Sequence, residues 1–337
     1  MSYKIGSFNV RNMSQNATRE KIEEIANIIR SERFQIVALQ EVLCKNITYG
    51  QDGSISTMVE PGDGNEPIAS LLMYLGPNWK ACFGAPKQER TAKEGYAFLW
   101  DSNYFHLPVA VLNNGSSRTY YPRIYNNYKI RKREHQNELI RNPLFARFVP
   151  NSQPKMEIRI INTHIYFGKD RTEDYLKRVK EFDVISQNIY PDVSDRLYWG
   201  EEECDIGSFF TIMIGDYNLN LLRPWNKQPF LPLEKFEIDD RGRIKVMRVF
   251  QESKTTLKKP SDEEEVRENY SQNYDHTTYD TERFSSLGVD GSRTGIKCNT
   301  RVVDAVRKYH KNDFKDYYDK ISDHIPICFE FDNNTKQ

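Results

Sequence analysis

The sequence of 337 residues contains 48 basic and 48 acidic side chains, so its formal net charge is zero. This balance excludes a global field that would attract the whole protein to nucleic acid or to an anionic membrane, and any affinity for a polyanion must come from a local patch. Hydrophobic residues make up 38% of the sequence and charged residues 28%, which is typical of a globular protein with a polar surface.

The predicted elements begin with a strand, a helix and a second strand. Strands are predicted at Tyr3 to Val10 and at Gln35 to Gln40, and the helix between them runs from about Thr18 to Arg33. A turn-rich stretch from Gly50 to Glu66 precedes a short predicted helix at Ile68 to Leu75 and a buried strand at Tyr96 to Trp100.

The second half of the chain continues the alternation of predicted strands and helices. Strands are predicted at Met156 to Thr163, Phe209 to Gly215 and Ile325 to Phe331, and Thr172 is predicted to cap a helix with Tyr175, Val179 and Phe182 facing inward. The charged segment Lys258 to Asn269 is predicted to be a mobile loop. Because no Pro-, Gly- or Ser-rich linker interrupts the series, the sequence favours one α/β domain with large mixed sheets over two domains.

The start of the chain and its cysteines indicate the cellular compartment in which we expect the protein. Met1 to Ile5 lead directly into a strand pattern without the regions of a signal peptide, so we expect a cytoplasmic protein with no stable membrane association. The five cysteines are scattered without a CxxC pair, which favours reduced thiols over disulfides or a thiolate zinc site.

Several predicted strands end in polar residues that a core strand would not need there. Each has an ordinary explanation when taken singly, such as a turn former or a hydrogen-bonded core histidine. Together they predict a site at the strand ends, where α/β sheets assemble their functional residues. The residues are Asn9, Glu41, His164, Asp216, Asn218, Asp323 and His324.

These positions fall in a series of motifs spread over the whole chain. The motifs are Phe8-Asn9-Val10-Arg11, Gln40-Glu41-Val42, Asn162-Thr163-His164, Gly215-Asp216-Tyr217-Asn218 and Ser322-Asp323-His324-Ile325-Pro326. In this order the series resembles the endonuclease/exonuclease/phosphatase superfamily. The stretch from Glu94 to Leu99 and Arg141-Asn142-Pro143 are similar to its deoxyribonuclease I branch.

The resemblance implies a fold and an activity. The fold would be a four-layer α/β sandwich, with two mixed β-sheets packed face to face and helices on both outer faces. Residues 1–332 would form a single catalytic domain, followed by a polar tail at 333–337. The activity would be metal-dependent hydrolysis of phosphoric esters, with Mg²⁺ as the cofactor and Mn²⁺ or Ca²⁺ as alternatives.

The resemblance also implies roles for individual residues. Glu41 would be the principal metal ligand, with Asn9 and Asp323 near the same or a second cation. Asp216 would orient or deprotonate the attacking water, and Asn218 would hold a phosphate oxygen. His164 and His324 would lie on either side of the scissile phosphate as hydrogen-bond donors or acid/base groups.

Each histidine would be oriented by a carboxylate. Glu94 would serve His164, and Asp275 in Tyr274-Asp275-His276 would serve His324, with Asp280 as the alternative. His276 itself is interpreted as a surface or supporting residue. The remaining histidines, His106, His135 and His310, match no motif and are interpreted as structural.

Arg11 and Arg141 are predicted to hold phosphate, since guanidinium groups bind phosphate oxygens in pairs. Ordinary surface salt bridges are the alternative explanation for both.

The substrate is less well specified. Residues 118–141 combine seven basic side chains with four tyrosines, which predicts a nucleic-acid contact surface, although a solvated loop with tyrosines packed on the protein body is the alternative. Ala92 stands where deoxyribonuclease I has a tyrosine that contacts the minor groove, so docking would differ.

We therefore expect an endonuclease acting on DNA or RNA. One alternative is a phosphatase or phospholipase C-type hydrolase for phosphoinositide, sphingomyelin or a small phosphorylated metabolite. The other, a binding protein with an inactive site, is disfavoured because none of the core site residues is lost.

Overall fold

The computed structural model describes residues 2–43, 55–61, 67–85, 94–111, 114–126, 139–169, 171–195, 208–220, 234–238, 244–250, 253–260, 269–286 and 296–332. Outside these ranges lie Ala92, His135, the polar tail, the middle of the basic tyrosine-rich segment and most of the predicted mobile loop.

The strands in chain order are β1 Ser2–Met13, β2 Ile36–Leu43, β3 Ile55–Val59, β4 Trp79–Ala85, β5 Glu94–Asp101, β6 Phe105–His106, β7 Val109–Val111, β8 Ser117–Thr119, β9 Arg123–Ile124, β10 Leu144–Pro150, β11 Met156–His164, β12 Ser208–Asp216, β13 Glu234–Ile238, β14 Ile244–Phe250, β15 Asp275–Asp280, β16 Lys297–Val302 and β17 Ile327–Asp332.

The helices are α1 Arg19–Glu32, α2 Pro67–Leu75, α3 Thr172–Val184, a π-helical turn Ile185–Ile189, α4 Tyr190–Asp195, α5 Thr281–Ser286, α6 Ala305–Tyr309 and α7 Phe314–Lys320. None of these described helices has the length and apolar character needed to cross a membrane.

Two large mixed sheets organise these elements. The first sheet has the order β16-β17-β1-β2-β5-β4-β3, and the second has the order β13-β14-β15-β12-β11-β10-β6, with β9 paired to β10. Strands β1 and β2 are parallel, as are β11 and β12. Within each sheet, the carboxyl ends of these two strands therefore lie at the same edge.

Three apolar clusters separate four layers. One packs α1 and α2 against the first sheet, with Ile25, Ile29 and Leu72 facing Val37 and Leu39. A second, which contains Ile5, Phe98, Phe148, Ile160 and Ile212, lies between the sheets. The third packs Phe182, Ile185 and Ile189 against Ile161 and Met213 of the second sheet. The molecule is therefore the predicted α/β sandwich.

Helix α1 shows how the local sequence specifies an element. Thr18 caps it by accepting a hydrogen bond from the Lys21 amide, and Arg33 ends it in a left-handed conformation. Ile22, Ile25 and Ile29 recur at helical spacing and are buried, which fixes the face that packs on the sheet.

Two local predictions are wrong. Thr172 is the first residue of α3 rather than its cap, and Arg171 occupies the cap position without a side-chain hydrogen bond. The stretch predicted as turns contains β3, which pairs with β4 along the edge of the first sheet. Ser56 and Thr57 give this segment a turn-like composition, but pairing with β4 stabilises it as a strand.

Candidate active site

The predicted site residues converge at one edge of the sandwich. Asn9 and Glu41 come from the carboxyl ends of β1 and β2, and His164 and Asp216 end β11 and β12. Glu94 and Asp275 begin the antiparallel strands β5 and β15 at the same edge. The site therefore joins the two sheets at the ends of six strands.

A bulge in β2 presents Glu41 to this edge. Gln40 pairs with Tyr96 and Val42 with Gly95, so Glu41 is the extra residue, and its φ is 58°. A left-handed backbone is unfavourable for a residue with a side chain and is retained mainly where the surroundings fix it. The bulge turns the carboxylate of Glu41 out of the regular strand alternation.

Asn9 links the two sheets through its side-chain amide. Nδ2 donates hydrogen bonds to Oε1 of Glu41 and to Oδ2 of Asp216, each over 3.0 Å. The other oxygen of Glu41 accepts a hydrogen bond from the Asn12 amide. Asn9 thereby holds two carboxylates side by side, although it is fully buried.

His164 is held by Glu94 and Arg141. Nδ1 of the imidazole lies 2.5 Å from Oε1 of Glu94, whose other oxygen accepts from Arg141 over 2.8 Å. Nε2 of His164 faces the opposite way, 3.5 Å from Oδ2 of Asp216 and 3.9 Å from Oε1 of Glu41.

His324 repeats this arrangement on the other side of Asp216. Its Nδ1 lies 2.8 Å from Oδ2 of Asp275, and its Nε2 lies 3.7 Å from Oδ2 of Asp216. Asp280, the alternative partner, lies at the far end of β15 and accepts hydrogen bonds from the Glu282 and Arg283 amides. One buried carboxylate is thus flanked by two imidazoles, each backed by a second carboxylate.

The protonation of the site follows from this packing. Burial disfavours the charged form of His324, but the charges of Asp275 and Asp216 outweigh it and raise its pKa to about 10. Burial also opposes protonation of His164, yet Glu94 and Asp216 raise its pKa. Burial raises the pKa of Asp216 against the opposing effect of both imidazoles. A carboxylate with a raised pKa is suited to accepting a proton.

Asn218 also has a left-handed backbone, with φ of 50°. Its backbone amide donates to Oδ1 of Asp216 over 2.8 Å, and its side-chain Nδ2 donates to the Ile165 carbonyl over 2.7 Å. The side chain is therefore fixed directly beside Asp216.

The two arginines that were predicted to bind phosphate contact other groups of the protein. Arg11 donates to the Tyr318 carbonyl over 2.6 Å and lies 3.7 Å from Asp323. Arg141 contacts Glu94 and lies 3.2 Å from Nδ1 of His164. Both guanidinium groups lie among the predicted site residues, since each contacts a carboxylate of that set.

The sequence interpretation missed two residues that shape the site. Lys21 is largely buried and donates from Nζ to the Arg11 carbonyl over 2.9 Å, which supports the left-handed turn at Arg11 and Asn12. Ser322 donates from Oγ to the Asn9 carbonyl and accepts from the His324 amide. Lys21 looks like a helix surface residue in the sequence, whereas Ser322 directly precedes Asp323-His324 and could have been included.

Three other histidines among the described residues have different partners. His276 is fully buried, with Nε2 2.7 Å from the Leu219 carbonyl, so it is a supporting residue and the surface interpretation is wrong. His310 contacts Glu24 and Asp316, and His106 contacts Asn151.

A cation would find oxygen donors at this edge. Glu41, Glu94 and His164 offer ligand atoms that all lie within 4.8 Å of one another. Asn9 adjoins Glu41, and the charges of Glu41 and Asp323 both act on the pKa of Lys21. Carboxylate oxygens suit a hard divalent cation, so Glu41 and Glu94 fit the expected cofactor, whereas the Asn9 amide oxygen accepts a hydrogen bond from the Arg11 amide.

The fold is similar to that of solved structures. An endonuclease/exonuclease/phosphatase family protein from Bacteroides thetaiotaomicron is 12% identical, with a TM-score of 0.50, over 98% of this chain and 97% of that chain. A mannosyl-6-phosphatase from the same organism is 11% identical, also with a TM-score of 0.50, over 98% and 99% of the two chains. No family model and no curated protein matches the sequence.

The fold is therefore that of the endonuclease/exonuclease/phosphatase proteins, as the order of the sequence motifs predicted.

Proposed function

We propose that this chain is a divalent-metal-dependent hydrolase of phosphoric esters, with residues 1–332 acting as one catalytic domain. The observation that carries the proposal is the carboxylate of Asp216, which lies 3.5 Å from His164 and 3.7 Å from His324. Glu41 lies beside it through their shared partner Asn9. A base, two donors and a metal ligand at one strand edge are the parts that phosphoester hydrolysis needs.

Glu41 is the proposed main cation ligand, with Asn9 and Asp323 as further ligands or supports. A bound Mg²⁺ would neutralise charge that develops on the non-bridging phosphate oxygens.

Asp216 is the proposed general base, since burial raises its pKa towards the range in which a carboxylate accepts a proton from water. His324, with a pKa of about 10, is protonated at neutral pH and would donate a hydrogen bond to the phosphate. Glu94 and Asp275 orient the two rings, and Asn218, Arg11 and Arg141 are proposed to contact phosphate oxygens.

The proposed substrate is a nucleic acid. Arg118, Tyr120, Tyr121 and Arg123 line a cavity of about 360 Å³ beside β10, and Arg118, Tyr121 and Arg123 are exposed. Arginines that contact phosphates and tyrosines that stack on bases support a nucleic-acid surface over a purely structural segment.

The experiment is a parallel hydrolysis assay with Mg²⁺ and four substrates: supercoiled plasmid, single-stranded RNA, phosphoinositide vesicles and mannose 6-phosphate. We expect cleavage of a nucleic acid that is abolished by EDTA and by Glu41→Ala or His324→Ala. The control is His106→Ala, which removes an exposed imidazole away from the site. Full activity in both site variants would overturn the site assignment.

A phosphatase acting on a small phosphorylated metabolite is the second candidate. It is favoured by one observation, the mannosyl-6-phosphatase with the same fold. Release of phosphate from mannose 6-phosphate without cleavage of either nucleic acid would support it and would exclude the nuclease.

A further inference from the structure

A large apolar side chain is exposed next to the candidate active site. Phe167 follows His164 by three residues and is 42% exposed, whereas most phenylalanines in the described residues are buried. Its ring centroid lies 6.2 Å from that of Tyr274, which directly precedes Asp275. Two aromatic rings therefore stand together, one three residues after His164 and the other next to Asp275, the partner of His324.

Phe167 is fixed in this position. The buried Arg178 donates from Nε to the Phe167 carbonyl over 2.7 Å, and its guanidinium carbon lies 4.3 Å from the centroid of the Phe167 ring. The same loop is anchored where the Tyr166 amide donates to Glu181 and where the Lys169 amide donates to Asp174. A ring held in one orientation loses little entropy when a ligand stacks on it.

The pair adjoins the groups proposed to hold the phosphate. Arg178 also donates to the Asn218 carbonyl over 3.2 Å, and the Tyr217 amide donates to the Tyr274 carbonyl over 2.8 Å. Three residues of chain separate the Cα atoms of His164 and Phe167 by at most roughly 10 Å. The rings therefore lie within reach of a group attached to a phosphate bound at His164.

Two exposed cations lie close to Phe167 among acidic neighbours. Lys169 and Arg171 follow Phe167 and are exposed, and Glu173 and Asp174 lie in the first turn of α3 directly after them. Exposed cations beside an aromatic surface are typical of proteins that bind single-stranded nucleic acid, in which the cations contact the backbone and the rings stack on bases.

We propose that Phe167 and Tyr274 form a stacking platform for an unpaired base next to the scissile phosphate, and that the substrate strand is single-stranded there. Because the two ring planes are inclined at 60°, the base would stack on Phe167 and meet Tyr274 along its edge. This inference rests on the proposed phosphoester hydrolysis and specifies its substrate. The platform distinguishes a substrate that has a planar base at this position from one that has only a sugar and a phosphate.

The test measures binding separately from hydrolysis. Full-length protein in EDTA is titrated with a single-stranded oligonucleotide and with the same oligonucleotide containing abasic residues, and binding is followed by fluorescence anisotropy. We expect the base-bearing strand to bind more tightly than the abasic strand. Phe167→Ala should weaken binding of the base-bearing strand about tenfold and should have little effect on the abasic strand. Phe167→Trp should retain the preference and show indole quenching only with the base-bearing strand.

Tyr104→Ala is the matched control. Tyr104 is an aromatic residue with 41% exposure, and it follows β5 at the end opposite to Glu94, away from the site. We expect this variant to bind both strands as the unaltered protein does.

The outcomes separate the platform from the proposed function. Equal loss of affinity for both strands in Phe167→Ala, or Phe167-dependent binding to phosphoinositide vesicles in place of the oligonucleotide, would overturn the platform. Base-dependent binding through Phe167 without hydrolysis of any phosphoester in Mg²⁺ would support the platform and contradict the hydrolase. Hydrolysis with no base preference would support the hydrolase and contradict the platform.

Discussion

Nδ1 of His324 lies 2.8 Å from Oδ2 of Asp275, a residue 49 positions earlier in the chain. The contact directs the opposite ring nitrogen, Nε2, towards Asp216. Because the negative charge of Asp275 contributes to the raised pKa of His324, the pair controls both the orientation and the protonation of the imidazole.

We predict that Asp275→Asn lowers the rate of phosphoester hydrolysis by about 100-fold or more, since the imidazole loses its charged partner. The pKa of His324 should fall from about 10 towards the ordinary range of histidine, which a titration followed by NMR would measure. The matched control is Asp280→Asn, where the aspartate ends β15 and accepts hydrogen bonds from the Glu282 and Arg283 amides. An unchanged His324 titration in Asp275→Asn would contradict the proposed pairing.

A second prediction concerns the cation. Mg²⁺ that binds only the folded protein should raise the midpoint of thermal unfolding, by about 2 to 5 °C at a concentration well above its dissociation constant. Glu41→Gln should abolish this increase, because a neutral amide replaces the principal charged ligand. Glu23→Gln, on α1 with a side chain that is 43% exposed and paired with Arg19, should retain it. A full Mg²⁺ effect in Glu41→Gln would assign the cation to other residues.

A third prediction tests the backbone at the end of β12. Gly215 has φ of 146°, and a Cβ atom built there would lie 1.9 Å from the Thr163 carbonyl oxygen. Gly215→Ala should lower the free energy of unfolding by about 3 kcal/mol or more, because the parallel pairing with β11 must shift. Denaturant unfolding measures the change.

Gly115→Ala provides the comparison for that measurement. Gly115 has φ of 79° with no atom within 4 Å of the added Cβ, so its substitution should cost only about 1 kcal/mol. Equal costs at the two positions would show that the contact with Thr163 relaxes freely.

A fourth prediction concerns stability and pH. The carboxylate of Glu32, which is 5% exposed, accepts hydrogen bonds from Arg301, Lys308 and Tyr309. Burial alone would raise its pKa, but these partners lower it from 4.5 to about 2. A carboxylate whose pKa is lower in the folded than in the unfolded protein stabilises the fold at pH values above the unfolded-state pKa. This stabilisation is lost as the pH falls through the folded-state pKa.

Glu32→Gln should therefore reduce the free energy of unfolding by about 2 kcal/mol at neutral pH. The difference from the unaltered protein should shrink as the pH falls from 4.5 towards 2. Urea unfolding across this range is the measurement. A difference that stays constant with pH would mean that the charge of Glu32 is not responsible.

The sequence predicted the sandwich and the convergence of the strand-end residues, because both follow from ordered motifs at the ends of apolar runs. It left Asp275 and Asp280 as alternatives, since the choice depends on β15 placing Asp275 opposite Asp216. The hydrogen bond from Lys21 to the Arg11 carbonyl was not predictable from the sequence. It depends on a left-handed turn in β1, which the spacing of residues does not reveal. The exposure of Phe167 likewise depends on how Arg178 anchors its loop.

The order of strands in the first sheet also affects how the protein is made. Strand β17, which follows His324 closely, lies between β1 and β16. During synthesis β1 leaves the ribosome before β17 and cannot pair on that side until β17 has also been made. A nascent chain that already carries Glu41, His164 and Asp216 still lacks His324, so the proposed site is incomplete until that stage. Chains truncated before Ser322 should be inactive in the hydrolysis assay.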